Sequence, residues 1–575
     1  MPPSAATTGP ADSDYDLIVA GAGCAGMATA LFAAIQGLKV LVLEASPWVG
    51  GTSALAAGAL WIPNTHLAAG SGDTPAKAAN YLAHATGDSS PAALREAFLR
   101  WGPEAVHCLE RETDVQLRAF AHHPDYLSDL PDATTWGRVL ECLPFDGRRL
   151  GSALALVRPP IPEFTVLGGM MVDRIDIGHL LGMSRSWASF SHALRLLLRH
   201  AADRLRHPRG TRWVLGNALV GRLLLSLRQR DVPVWTQAEA QELVSDGARV
   251  TGVRVLHQGR LRTLHARVGV VLAGGGFNAN PELRRQLIPS EVRYSPRAEG
   301  GSGRLLQQAI SLGARLGAPG GSAAFWAPVS VRRRGDGSCA VFPHFVLDRA
   351  KPGTVVVNAQ GQRFVNESTS YHLFGERMLQ PTQGSRPDAQ AYLVADARAL
   401  AQYGLGMIRP GGRGLRRFLR EGYVVQGRTI PELADRLGLP AEGLMATVAR
   451  MNEFARTGVD TDFQRGSTAY QRNLGDPAVQ PNPTLRPFEA GPFYAVRLHA
   501  GDIGASVGLV TDGHARVLRS GQPIEGLYAV GNDMQSVMGA AYPGPGINLG
   551  PAVVFAYAAA EAATRASKEA AARTA

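Results

Sequence analysis

Residues 15–45 read YDLIVAGAGCAGMATALFAAIQGLKVLVLEA. A short apolar run, Leu17 to Ala20, leads into Gly21, Gly23 and Gly26. A helix-like run from Met27 to Gln36 follows, then a second apolar run, Val40 to Leu43, that ends on Glu44. The spacing predicts strand, tight turn, helix and strand, with an acid closing the second strand. Gly21 permits the turn. Gly23 has no side chain to keep a pyrophosphate off the backbone, and Gly26 lets the helix pack close to the sheet. The helix N-terminus offers unpaired amides and a partial positive charge to phosphate. Glu44 is placed to accept hydrogen bonds from a ribose 2'-hydroxyl. A bare GxGxxG is often only a structural turn; here the flanking strands and the spaced acid point to an adenine dinucleotide.

Stretches far from this one repeat the same logic. Gly50 to His66 reads GGTSALAAGALWIPNTH: a turn with hydroxyls at its edge, then a Gly-punctuated run that can follow a long cofactor closely. The strand Val268 to Ala273 runs into Gly274–Gly275–Gly276. GLYAVGND, residues 526–533, ends another apolar strand on Gly531–Asn532–Asp533. Residues 539–563 form a Pro/Gly loop feeding a helix, whose start offers amides to an anionic oxygen or a flavin carbonyl. A nucleotide unit assembled from both chain ends suits FAD better than NAD. The positions expected to line it are Gly21, Gly23, Ala25, Gly26, Glu44, Ala45, Gly50, Gly51, Thr52, Ser53, Gly58, Ala273, Gly274, Gly531, Asn532, Asn548 and Leu549. No second GxGxxG has strand context, so a quinone, a protein or another acceptor is expected to take the electrons, not a housed pyridine nucleotide.

At 575 residues the chain needs two or three domains. The texture changes near residue 301. The reading is an α/β protein: a Rossmann-like FAD-binding domain in two parts, 1–304 and 489–575, with an inserted α+β substrate domain at 305–488. The first sheet is expected to resume at the strand-like residues 492–498. A basic, partly helical insert lies near 134–215. Inside it, Trp187 to His207 carries apolar residues at helical spacing with Arg195, Arg199, Arg204 and Arg206 between them. Such a helix has a solvated basic face or lies on an anionic membrane. The net charge of +11 favours anionic surfaces or ligands, but no zinc finger or RNP-like strand supports nucleic acid. The four cysteines form no CxxC pair, so neither a disulfide scaffold nor a thiolate metal site is indicated. Residues 1–14 lack the pattern of a secretion signal, and no run is long and apolar enough to span a bilayer. A cytoplasmic enzyme follows, peripheral on the inner face of the membrane if the basic helix binds lipid. Oligomeric state is left open.

The chemistry candidates are tyrosines: Tyr126, Tyr371 and Tyr542. A phenol can hydrogen-bond a ketone and acidify its α-carbon; a second, with its pKa lowered by neighbours, can remove the α-proton. Tyr542 and the backbone N–H of Gly546 could converge on one carbonyl oxygen. Tyr126 sits in a Pro- and Asp-rich loop, where a lone tyrosine ordinarily just packs.

The chain resembles the FAD-dependent 3-ketosteroid Δ1-dehydrogenases, within the fumarate-reductase-like flavoproteins. The likeness rests on GAGCAG with Glu44, GGTSALAAGALWIPN, VVLAGGGFNAN, VVNAQGQRFVNESTSY, PFYAV, GLYAVGND and AYPGPGINLGPA. NES-x-x-Y joined with YPGPG is its most specific part. The resemblance implies that Tyr542 and the backbone of Gly546 polarise a C3 ketone, that Tyr371 removes a C2 proton, that Tyr126 supports it, and that a C1 hydride passes to the flavin. It also makes a peripheral membrane helix more plausible. Ala56–Ala57–Gly58 departs from the usual serine/glycine run, and the 134–215 insert is longer and more basic than in compact relatives. Two rivals stand beside it. A Δ4 (C4–C5) dehydrogenase would place a serine two residues after the tyrosine, where this chain has Tyr542-Pro543-Gly544. A fumarate-type reductase would need a cationic pocket, for which Arg363, Arg377 and His344 are the available residues, while Glu367 and the tyrosines favour a neutral ketone.

Overall fold

The opening stretch folds as its spacing dictates: strand Tyr15–Ala20, helix Cys24–Ile35, strand Val40–Leu43. The computed structural model describes residues 15–345, 348–380 and 391–574. Residues 1–14, read above for a secretion signal, lie outside them. The helix begins earlier than the apolar period suggests, at Cys24, because Gly23 is extended and serves as its cap. Both strands are buried along their whole length, so they read as continuous apolar runs rather than alternating ones. Leu17, Ile18 and Val19 are fully buried, each worth about 1.5–3 kcal/mol of apolar burial.

Among the described residues one sheet has eight strands. Tyr15–Ala20 lies parallel between Arg260–Leu272 and Val40–Leu43, and Arg260–Leu272 pairs in parallel with Gln522–Ala529 from the far end of the chain. That pairing makes the split nucleotide domain physical. The strand expected at 268–273 is the end of a much longer one, whose first half forms an antiparallel ribbon with Val250–His257.

A second sheet has six strands among the described residues. Its central strand is Phe493–Ala505: Ala391–Ala395 and Val424–Gly427 pair with its first half from opposite sides, and Ala324–Arg333 pairs with its second half. This corrects the sequence reading. Residues 492–498 do not return to the first sheet; they build the second, and the chain rejoins the first only at Arg516–Arg519 and Gln522–Ala529. An apolar, strand-like run carries no mark of which sheet will accept it.

The insert near 134–215 holds two helices, Arg174–Leu181 and Trp187–Arg204. It is fastened to the second sheet: Glu163 accepts from Arg332 at 3.0 Å and Arg334 at 2.8 Å, and Phe164 stacks on Phe342 at 4.8 Å. No helix among the described residues is long and apolar enough to cross a membrane.

Candidate active site

The cofactor cradle follows from glycine geometry. Gly21 has φ +121°, and a Cβ there would lie 2.1 Å from the Ala273 carbonyl oxygen. A Cβ on Gly26 would lie 1.9 Å from the Gly21 carbonyl oxygen. At Gly23 the nearest atom is Ser53 Oγ at 3.9 Å, so the backbone there is open to a phosphate. No side chain caps this helix from the position before it; Ser53 Oγ accepts from Cys24 N at 3.1 Å. Glu44 is buried, and its carboxylate accepts from Ala22 N at 3.0 Å and Ser46 N at 2.9 Å, which fixes it at the strand end beside exposed Ala45. Gly50 N donates to Ala22 O at 2.8 Å, drawing the 50–53 turn onto the first one, and Thr52 Oγ1 accepts from Ala298 N at 3.0 Å. Gly58 has a different reason to be glycine. A Cβ there would lie 2.5 Å from the Leu215 backbone, so the position admits the close approach of helix Leu215–Gln229.

The far chain end closes the cradle. A Cβ on Gly531 would lie 2.9 Å from Ala25 Cβ. Asp533 accepts from the amides of Gly274 and Gly276, tying the two central strand ends together. Burial pushes its carboxyl up to about 6 against those amide bonds. Asp533 was not among the expected cofactor residues; its place directly after Gly531–Asn532 was the available signal. A small cavity beside Gly531, Asn532, Ile547 and Asn548 opens at the start of helix Leu549–Thr574. This open backbone, fixed acid and two-ended closure fit a cofactor as long as FAD.

The three tyrosines come together from three separate elements. Tyr371 is the first residue of helix Tyr371–Leu379, capped by Ser370. Tyr126 donates its backbone N–H to Pro543 O at 2.8 Å, and the Tyr81 hydroxyl donates to the same oxygen at 2.7 Å. The early loop is thereby bonded directly to the YPGPG loop that carries Tyr542. Ring centroids lie 5.4 Å apart for Tyr126–Tyr371, 4.9 Å for Tyr371–Tyr542 and 5.8 Å for Tyr126–Tyr542. The Tyr126 hydroxyl donates to the Tyr371 oxygen at 3.3 Å. Phe345 packs on Tyr371 at 4.8 Å and Phe325 on Tyr542 at 5.2 Å. Gly546 has φ +94°, and a Cβ there would lie 2.4 Å from Ala59 O. The Gly546 N–H donates to no group among the described residues.

A buried ion network holds the Tyr126 loop. Asp125 accepts from Trp61 Nε1 at 2.9 Å, Arg138 Nη1 at 2.8 Å and Thr134 N at 3.0 Å, while Arg138 also binds Asp73 at 2.7 Å. Removing one partner from such a network costs about 3–5 kcal/mol. Neither Arg138 nor Asp73 stood out in the sequence. Tyr470 did not either, yet its ring lies 4.5 Å from that of Tyr126, and its buried hydroxyl has no hydrogen-bond partner among the described residues.

Burial drives the Tyr126, Tyr371 and Tyr542 phenols above their ordinary range. This reverses the expectation of a lowered pKa for the proton acceptor: burial raises the Tyr371 phenol most, and Tyr126 and Tyr542 beside it raise it further. A neutral Tyr542 is the form that donates to a ketone. The Tyr126 hydroxyl lies 3.3 Å from the Tyr371 oxygen, so the two phenols titrate as one coupled pair.

The residues a reductase would need are committed elsewhere. Arg363 binds Glu367 and Asp460, each at 2.8 Å, and Glu367 also meets Arg465 at 3.3 Å. His344 is buried between Asp348 and Ser330, each at 2.7 Å. Arg377 is exposed and donates to Gln380. Glu367 is therefore held in buried ion pairs and is not a wall against anionic substrates.

Comparisons with known proteins bear on this geometry. The FAD binding domain family matches residues 16–549. A 4-oxocyclohex-2-ene-1-carboxylate 5-dehydrogenase from Sinomonas cyclohexanicum is 38% identical, covering 95% of this chain and 92% of that one. A 3-oxosteroid 1-dehydrogenase from Mycolicibacterium smegmatis is 36% identical, covering 95% and 96%. The crystal structure of 3-ketosteroid Δ1-dehydrogenase from Sterolibacterium denitrificans in complex with 1,4-androstadiene-3,17-dione superposes with a TM-score of 0.89 at 34% identity, covering 96% of this chain and 99% of that one.

Proposed function

The chain belongs to the FAD binding domain family, among the 3-ketosteroid Δ1-dehydrogenases and their relatives, and from that premise we propose that it introduces the C1–C2 double bond into 3-ketosteroids. The observation that carries the reading is the meeting of Tyr126, Tyr371 and Tyr542 beside the free N–H of Gly546. The C3 ketone oxygen accepts from the Tyr542 hydroxyl and the Gly546 N–H, which stabilises the charge that develops as the α-carbon loses its proton. Tyr371 takes that proton from C2, and Tyr126 donates to the Tyr371 oxygen and holds it in place. FAD, when bound, supplies the acceptor for the C1 hydride. Gly21, Gly23, Gly26, Glu44, Gly531 and Asn548 would hold it. Residues 305–505, the second sheet and its helices, serve as the substrate domain.

The 38% identity to a 4-oxocyclohexene-carboxylate dehydrogenase favours a second reading, in which the same α,β-desaturation acts on a small ring ketone bearing a carboxylate. Such a substrate asks for a free cation. The guanidinium beside the tyrosines, Arg349, spends its donors on the carbonyls of His344, Glu367 and Phe345, which favours the neutral steroid. Androst-4-ene-3,17-dione is expected to exceed 4-oxocyclohex-2-ene-1-carboxylate in kcat/KM by more than about 100-fold. The reverse order would move the substrate to the small ketone and leave the reaction class standing.

The helix Trp187–Arg204 supports peripheral attachment to an anionic membrane, on the inner face of the cell. Trp187 is 79% exposed, Leu198 61% and Leu205 85%, with exposed Arg185, Arg195 and Arg206 around them. A lipid-soluble quinone is the acceptor this arrangement suits. The protein is expected to sediment with phosphatidylglycerol vesicles at low salt, and the pair Trp187→Ser, Leu198→Ser to remain in the supernatant. Equal binding of that variant, or no binding by either, would remove the membrane from the account.

A further inference from the structure

Arg349 is wholly buried, and its environment is unusual for a buried cation. Its Nε donates to His344 O at 3.0 Å, its Nη2 to Phe345 O at 2.9 Å and its Nη1 to Glu367 O. The Phe374 ring lies 5.3 Å from the guanidinium carbon. Among the described residues no carboxylate oxygen lies within 4.0 Å of it. The neighbouring carboxylate, Asp348, is occupied by His344 Nδ1 at 2.7 Å, Gly406 N at 2.8 Å and the backbone N of Arg349 at 2.7 Å. Arginine does not escape such a site by losing its proton, and an unpaired buried charge is costly.

Besides the Asp348 carboxylate, the groups that feel this charge are phenols. Tyr470, Tyr126 and Tyr371 all sit within its electrostatic reach. The three carbonyls it holds lie on the two segments that frame Tyr371: Phe345, whose ring packs on Tyr371 at 4.8 Å, and Glu367, four residues before Tyr371 in NES-x-x-Y. We propose that Arg349 is the counter-charge of the proton-abstracting phenol: it fixes the two segments around Tyr371 and supplies the positive charge against which the Tyr371–Tyr126 pair becomes anionic. Because Arg349 acts through Tyr371, it is a positioning residue. The inference rests on the ketone-desaturation reading and adds to it what opposes desolvation of the base. The guanidinium lowers the Tyr126 and Tyr470 phenols against the larger effect of burial, which still leaves Tyr470 raised to about 12.

The remaining groups around Tyr371 do not supply this charge. Tyr126 and Tyr542 face it as phenols, with Tyr470 behind Tyr126. His372, next on the same helix, accepts from Trp326 N and bonds Ala540 O, with the Glu376 carboxylate 3.3 Å from the same ring nitrogen. Arg363 and Arg465 are matched by Glu367 and Asp460.

The test measures the rate at which androst-4-ene-3,17-dione bleaches the flavin of the anaerobic holoenzyme, as a function of pH, in R349K, R349Q, R349M and wild type. The wild-type rate is expected to rise with pH. R349K keeps the charge and should keep the wild-type midpoint within about half a unit, even if slower. R349Q and R349M should move the midpoint up by about one to three units, and so lose about 10-fold or more at neutral pH while converging on wild type at high pH. A neutral variant whose profile superimposes on wild type after scaling, or an R349K shift as large as that of R349Q, would make Arg349 merely structural and overturn the inference. If R349Q and R349M lose FAD, R349K alone decides it by the same midpoint. Failure of the underlying reading looks different: the wild-type flavin would not bleach with the ketone at any pH.

Discussion

Tyr371→Phe is expected to slow steroid-dependent flavin reduction by about 10²–10⁴-fold while FAD stays bound. The substitution removes one oxygen. The ring contacts to Phe345 and Tyr542, at 4.8 and 4.9 Å, do not depend on it, and none of the cradle glycines is near in the chain. The cost to folding is confined to the Tyr126 hydroxyl, which loses its acceptor and adds about 1–3 kcal/mol of unpaired buried donor. The pH profile carries the sign. A proton acceptor works only when ionised, and burial holds this phenol above its ordinary range. The wild-type rate should therefore climb as pH rises above neutral, and the variant's residual rate should not. A variant that keeps both the rate and the alkaline climb would place the base elsewhere.

Tyr542→Phe is expected to lower kcat by about 10²–10³-fold, the usual cost of losing one donor aimed at a developing oxyanion, with a small change in KM. The Tyr542 ring is fixed by Phe325 at 5.2 Å and Tyr371 at 4.9 Å, so the phenylalanine keeps its place. The Gly546 N–H would remain as the single donor. Stopped-flow flavin reduction separates this loss from weaker binding. A variant that raises KM and leaves kcat unchanged would show that Tyr542 binds the ketone without stabilising the charge.

The Rossmann unit was legible because its signals are local. Gly21, Gly26 and Glu44 fall within some thirty residues, and the motif shows them together even though the backbone Gly21 makes room for is that of distant Ala273. The placement of strand Phe493–Ala505 was not legible, because strand partners are chosen by tertiary packing and not by the strand's own pattern. The tyrosine set was readable only through motif resemblance. Tyr126 earns its role from Pro543, more than 400 positions away, through a backbone hydrogen bond that leaves no trace in composition. Asp125, Arg138 and Asp73 were invisible for the same reason. The lowered pKa expected for the base failed on burial, which a sequence does not report. Gly58 was read as lining the cofactor, but its lack of a side chain answers to a passing helix.

The most direct measurement is anaerobic mixing of the purified FAD-loaded protein with one equivalent of androst-4-ene-3,17-dione, following flavin absorbance and analysing the steroid. The account predicts bleaching of the flavin with one equivalent of the 1,4-diene formed per flavin. An unbleached flavin with that steroid and other 3-ketosteroids, together with a reduced flavin that fumarate reoxidises, would contradict it.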